Sequence, residues 1–362
     1  MKSDMRQIAF NKSVLEFAKN QLLFNLKRVR FMPFIIKNMS IQYKASKIRK
    51  KNKENGLQVP AVLALTITDK CNLNCTGCYL KAQNRPKNKD FTSEELKGII
   101  GEFRDLGSSI VLLLGGEPLM RDIFSLTEDF KNDMLFALFT NSTLINDSTI
   151  AKFKKNRNII PFLSMEGSET DVRRGDGVLQ KIQNVSDKLY KSKIQFGISI
   201  TVTRTNFDEV TSDTFVRKMI NKGVAYFAYF EYIPIDKSTM DLTITPEQKK
   251  EYDKFAFAFK DKYKTFIFTQ TIEKRFGGCL GAGTGIIHVN YDGSVETCPF
   301  APISDMSIKN NSVKDILQSE LFTNLRKHRG AMLADGLEMC SLWKSEEWTN
   351  AVETNDFSFI EN

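Results

Sequence analysis

The chain has 362 residues, 41% of them hydrophobic and 28 of them Phe, which is enough for one large domain and a smaller one. Its formal charge of +9 sits in residues 1–54, where fourteen Lys and Arg meet three acidic residues; the rest holds 38 basic against 40 acidic residues. That division excludes a general nucleic-acid-binding surface on the body, so no nucleic-acid partner is expected. No run approaches the ~20 apolar residues that a membrane-spanning helix needs.

Residues 10–30 carry a helical apolar stripe, from Phe10 through Val14, Phe17 and Leu22 to Leu26, interrupted by lysines and Arg28. A second apolar patch at Phe31–Ile36 precedes a polar, basic stretch from Lys44 to Glu54, which ends at Gly56 and reads as a linker. Residues 1–58 are therefore expected to form a basic amphipathic extension. Two readings of it stand side by side. One is membrane-surface contact through residues 1–54, at ~1 kcal/mol per basic residue near anionic lipid. The other is a helical arm packed on the body or on a second subunit. Charged residues break every apolar run at the N-terminus, so no secretory signal is read and the location expected is cytoplasmic, or peripheral on the inner face of the membrane.

From Val59 short β-like runs alternate with helical ones. The strands expected are Ala61–Thr68, Ser109–Leu114, Leu135–Thr140, Ile159–Ser164, Ile194–Val202 and Val224–Ile233. Between them fall helices at Ser93–Leu106 (capped by Ser93), Asp122–Lys131, Asp147–Lys155, Leu179–Ser192 and Asp208–Lys222. Such alternation implies parallel βαβ units. Six repeats suit a partial (β/α)6 TIM-like barrel of the α/β class over residues 59–245, with functional residues at the C-terminal strand ends. Residues 246–362 are expected to hold a linker helix and a small α+β auxiliary domain, including a hairpin of Ile286–Val289 and Ser294–Thr297 around Asn290-Tyr291-Asp292-Gly293.

Cys71, Cys75 and Cys78 form C-x3-C-x2-C just after the first strand. Three thiolates on one tight loop suit a cubane [4Fe–4S] cluster. A structural zinc site wants four ligands, so three leave one iron open to a small chelating ligand, a need that S-adenosylmethionine (SAM) meets with its amino and carboxylate groups. The second strand ends in Gly115-Gly116-Glu117-Pro118. Adjacent glycines let backbone approach a ligand, and a carboxylate pairs with an ammonium group.

The cysteine spacing and the Gly-Gly-Glu-Pro segment resemble the radical SAM superfamily. The resemblance covers about residues 60–245 by motif order. It implies a SAM-binding cluster on Cys71, Cys75 and Cys78, and SAM contacts from Tyr79, Gly115, Gly116, Glu117 and Pro118. Further contacts are implied at Asn141 after strand three, at Ser164 and Glu166 after strand four (the ribose), and at Arg174 (the SAM carboxylate). This chain departs from the family at Gly77, where many members carry an aromatic residue. Cys279, Cys298 and Cys340, in the pattern C-x13-G-x4-C followed by a lone cysteine, resemble the SPASM/twitch extension. That implies a second, auxiliary iron–sulfur cluster without a fourth cysteine. His288 reads as structural.

The activity implied is reductive cleavage of SAM to a 5′-deoxyadenosyl radical that abstracts hydrogen from a substrate, with a reductant such as ferredoxin or flavodoxin. The basic arm favours a membrane-associated lipid as substrate, and the SPASM likeness favours a peptide or protein side chain. A non-catalytic iron–sulfur carrier and a zinc scaffold are the rival readings from other classes.

Overall fold

The computed structural model of the chain describes residues 32–85, 89–269, 279–281 and 283–328, with Asn350 and Thr354. The helix expected at 10–30 and Cys340 lie outside the described residues. Nine strands form one sheet: β1 Val62–Thr66, β2 Ile110–Leu114, β3 Leu135–Thr140, β4 Ile159–Ser164, β5 Gly197–Val202, β6 Tyr226–Glu231, β7 Phe266–Thr269, β8 Ile286–Val289 and β9 Val295–Glu296. Their order is β7-β6-β5-β4-β3-β2-β1-β8-β9. Every pairing is parallel except β8 with β9. This is a partial α/β barrel with flanking helices.

Strands in such a sheet are apolar on both faces because both are covered. On β3, Phe136 and Leu138 enter the large outer core with the helices, while Leu135 and Ala137 join Phe162 and Tyr226 on the inner face. The helix Ser93–Leu106 shows how the outer layer is written in sequence: Leu96, Ile99, Ile100 and Phe103 recur at three- and four-residue spacing and are buried. Its cap is Thr92 rather than Ser93, because Thr92 and Glu95 close a capping box.

The helix expected at Asp208–Lys222 is two, Phe207–Val210 and Asp213–Asn221, that expected at Asp122–Lys131 is a helix over Ile123–Thr127 with a 3-10 turn after it, and three larger features differ from the expected pattern. The stretch Lys44–Glu54 is not a linker: it continues a 23-residue helix, Met32–Glu54. That helix docks on the barrel through buried Ile35, Ile41 and Ala45 and through polar contacts. Gln42 accepts from Ser109 Oγ at 2.7 Å, Arg49 donates to the Gly107 carbonyl at 2.5 Å, and Asn52 donates to the Leu106 carbonyl at 2.8 Å. Hydropathy does not mark a docking face made of Gln, Arg and Asn. The second difference is β7, whose four residues were too few to stand out. The third is β8, which pairs with β1 in register Val62↔Ile286, so the hairpin of the C-terminal segment extends the barrel sheet. Among the described residues no helix is long and apolar enough to cross a membrane.

Candidate active site

The C-terminal strand ends open into one cavity of about 300 Å3. The loop after β1 presents Cys71, Cys75 and Cys78 to it, all half-buried and none in a disulfide. Neighbouring N–H groups face the sulfurs: Leu73 N–H lies 3.4 Å from Cys71 Sγ, Asn141 Nδ2 lies 3.9 Å from the same atom, and Arg174 Nη1 lies 4.0 Å from Cys75 Sγ. Burial pushes the Cys71 thiol up, against the Leu73 N–H, which favours the thiolate. Among the described residues no three His, Cys, Asp or Glu side chains are already gathered at metal-holding geometry.

Gly115 and Gly116 floor the cavity and are zipped to the chain leading into the cysteine loop. Gly116 N–H donates to the Thr68 carbonyl at 2.9 Å and Glu117 N–H to the Lys70 carbonyl at 2.8 Å. A side chain at Gly115, where φ is +159°, would sit 2.7 Å from the Thr68 carbonyl oxygen, and one at Gly116 would run into the Lys70 carbonyl. Glu117 and Pro118 lie outside the cavity lining. The Glu117 carboxylate is fully buried. It accepts from Leu119 N–H at 3.0 Å, Thr140 Oγ1 at 2.9 Å and Asn141 N–H at 2.7 Å, which locks the end of β2 to the end of β3. Burial raises its pKa despite these donors. Its oxygens are thus committed to the protein rather than turned toward a ligand's ammonium group.

Asn141 and Ser164 do line the cavity. Glu166 does not; it is a fully buried anion behind the wall. Its carboxylate accepts from Arg173 Nη1 at 2.8 Å, Arg174 Nε at 2.6 Å and Arg174 Nη2 at 2.5 Å. Burial alone would push this carboxyl up, but the Arg174 and Arg173 guanidiniums overcome it and hold the pKa below the usual range. The structure thus joins Glu166 to Arg174, and of the two only Arg174 lines the cavity, with Arg173 and Tyr79.

Cys279 and Cys298 line the same cavity around Gly281, where an added Cβ would lie 3.1 Å from Cys298 Cβ and 3.4 Å from Cys279 Sγ. The hairpin bearing Cys298 is bound to the exit of the cysteine loop. Arg85 pairs with Asp292 at 2.9 Å and with Glu296, Gln83 Nε2 donates to the Pro299 carbonyl at 2.9 Å, and Tyr79 meets Phe300 edge-on at 5.3 Å. His288 is buried between Thr66 Oγ1 and Glu296 Oε2, each at 2.8 Å. Arg85 carries no sequence signal, since its partners lie 207 and 211 residues away.

The deep wall is aromatic. Phe230 contacts Phe139, Phe268 and Phe300 at centroid distances of 6.0, 5.7 and 6.1 Å. Tyr232, 4% exposed, packs against Gly77 so closely that an added Cβ would lie 2.5 Å from its hydroxyl oxygen and 2.8–2.9 Å from its ring, and Gly77 has φ +67°. Gly77→Ala is therefore expected to displace the loop, at about 1–3 kcal/mol of stability for the overpacking, measured by urea unfolding of the metal-free protein. Measured in a Tyr232→Ala background, the same glycine substitution should cost less, because the ring it runs into is gone.

The donor set fits a metal cluster and a small chelating ligand: three unpaired thiols, N–H donors around them and a glycine floor with no room for side chains. Comparisons with known proteins agree. A sequence model of the radical SAM superfamily matches residues 65–223. The chain is 26% identical over 300 residues to the AdoMet-dependent heme synthase of Methanosarcina barkeri, covering 74% of this chain and 85% of that protein. It is 27% identical over 303 residues to the mycofactocin maturase MftC of Mycolicibacterium smegmatis, covering 77% and 75%. Among solved structures, anSMEcpe with bound AdoMet superposes at TM-score 0.61 and 20% identity over 75% of this chain and 81% of that one. Streptococcus suis SuiB bound to S-adenosylmethionine gives 0.61 and 15% over 81% and 71%. The two superpositions show a shared fold.

Proposed function

We propose that the chain is a radical SAM enzyme that works with a [4Fe–4S] cluster and SAM, a reading supported by the superfamily match over residues 65–223 and by the enzyme-named relatives, and that its residues divide the work as follows. Cys71, Cys75 and Cys78 hold the cluster, and SAM lies along Gly115, Gly116, Asn141 and Ser164 beside Tyr79. When bound, these groups supply one-electron cleavage of the sulfonium bond to methionine and a 5′-deoxyadenosyl radical, which takes a hydrogen atom from substrate. The protein supplies placement and exclusion of water. Glu117 and Glu166 act from behind the wall: the first fixes the end of β2 against β3, the second fixes the two arginines that face the cysteine loop.

The carrying observation is that two cysteine groups, far apart in sequence, open into one cavity. On this reading Cys279 and Cys298, with Cys340, hold the auxiliary cluster, with the barrel in residues 59–245 and the auxiliary segment in 246–362. Substrate enters between the two groups, and ferredoxin or flavodoxin delivers the electron. The aromatic wall with Ser199, Thr201 and Glu231 among its rings suits a peptide or protein side chain that needs both apolar contact and hydrogen bonds, more than a lipid tail that needs only the first. Anaerobically reconstituted protein is expected to bind about eight irons per chain, and the Cys279→Ala/Cys298→Ala variant about four. Equal iron in the two would overturn the second cluster.

A further inference from the structure

Behind Cys75 lies a charge arrangement that the cofactor chemistry does not by itself require. Glu166 is fully buried, and the side chains of Arg173 and Arg174 are only 13% and 12% exposed. Within this cluster one carboxylate against two guanidiniums leaves one net positive charge beside the cysteine loop; the buried Glu117 carboxyl, which also feels Arg174, is a further acidic group nearby, and burial raises its pKa and so disfavours its charge. The two arginines use the positive charge differently. Arg173 addresses the loop backbone: its Nε donates to the Thr76 carbonyl at 3.1 Å, its Nη2 to the Gly77 carbonyl at 3.5 Å, and its own carbonyl accepts from Thr76 N–H at 2.9 Å. Arg174 addresses a sulfur: with Nε and Nη2 both spent on Glu166, its Nη1 is aimed at Cys75 Sγ, 4.0 Å away. The fork geometry of guanidinium on carboxylate fixes that aim.

Cluster potentials respond to nearby net charge, to hydrogen bonds at the ligating sulfurs and to solvent exposure. Each electron added to a thiolate-ligated cluster makes it one charge more negative. A fixed cation with an N–H at one sulfur, in a poorly solvated wall, therefore favours the reduced state. We infer that Arg174, held by Glu166, is a positioning residue that raises the reduction potential of the cluster on Cys71, Cys75 and Cys78. The step concerned is the uptake of one electron from a low-potential one-electron donor; no bond forms or breaks and no proton moves. The inference rests on the cluster assignment of the preceding subsection.

The test is a dithionite-mediated redox titration of the anaerobically reconstituted full chain, carrying Cys279→Ala/Cys298→Ala so that one cluster is read, followed by electron paramagnetic resonance. SAM is omitted, so that any contact of Arg174 with the SAM carboxylate plays no part. Arg174→Gln is expected to shift the reduction equilibrium about tenfold toward the oxidised cluster, which is about 59 mV for one electron. Arg174→Lys, which keeps the charge but not the fork that aims it, should fall between Arg174→Gln and the parent. An Arg174→Gln cluster that titrates with the parent overturns the inference. If Arg174→Gln fails to load, Arg174→Met decides in the same titration: a shift toward the oxidised cluster bears the inference out, and a cluster that titrates with the parent overturns it. A parent chain that holds no [4Fe–4S] cluster defeats the cluster assignment instead, and is told apart by its iron content and its silent spectrum.

Discussion

Glu166→Leu is expected to cost the fold about 3–5 kcal/mol, because it removes one partner from a buried ion cluster and leaves Arg173 and Arg174 facing each other without a counter-charge. The substitution keeps the side-chain volume close, so the loss is electrostatic rather than a cavity. Its pH dependence identifies the cause. The Glu166 carboxyl is held below its ordinary pKa by Arg174 and Arg173, against the opposing effect of burial. A depressed folded-state pKa means that the charge contributes in full above the unfolded carboxyl value of 4.5 and that the contribution is lost as pH falls through the folded-state value. Urea midpoints of wild type and variant should therefore lie far apart at neutral pH and converge in acid. A gap that persists unchanged into acid would show that the carboxylate charge is not what holds the arginines.

Gly116→Ala is expected to empty the site without touching a cysteine. A Cβ at this position would lie 2.5 Å from the Lys70 carbonyl carbon and 2.7 Å from the Asp69 carbonyl oxygen. These are backbone atoms, so no rotamer relieves the clash, and the segment that carries Cys71 must move. Overpacking costs about 1–3 kcal/mol, and the variant should load little iron on reconstitution. The control lies in the helix Ser93–Leu106, where a Cβ at Gly98 meets nothing within 4 Å. Gly98→Ala should gain about 0.5–1 kcal/mol from helix propensity and keep its iron. Iron content of the two variants, measured side by side, checks both; full loading of Gly116→Ala would mean that the glycine floor is not needed for the cluster loop.

What could be read from sequence follows the range of the interactions involved. The bounds of β3 and β4 were legible because a run of apolar residues closed by polar turns is a local signal, and the cysteine loop was legible because its spacing is local too. The hairpin around Asn290–Gly293 falls in the same group. By contrast the helix Met32–Glu54 was not legible: Phe31–Ile36 stood out only as an apolar patch and Lys44–Glu54 read as a linker, because the helix docks through Gln42, Arg49 and Asn52, whose partners are backbone carbonyls and the Ser109 hydroxyl. The pairing of β8 with β1 joins residues more than 200 positions apart and leaves no periodic trace.

The carboxylates are the instructive case at the site. Glu117 and Glu166 stand in motif positions, and the motif suggests contact with a ligand. Sequence gives position and charge but not the direction of the side chain. Both turn away from the cavity, Glu117 toward the end of β3 and Glu166 toward the arginines. Arg85, which ties Glu296 and Asp292 to the cysteine loop, had no chance of notice, since an arginine in a polar stretch is ordinarily a solvated one.

The central claim is tested most directly by mass-spectrometric detection of 5′-deoxyadenosine after anaerobically reconstituted chain is incubated with SAM and dithionite, beside Cys75→Ala. The account predicts product from wild type and none above background from the variant. Wild-type protein that is fully loaded with iron and binds SAM, yet yields no more product than Cys75→Ala, would contradict it.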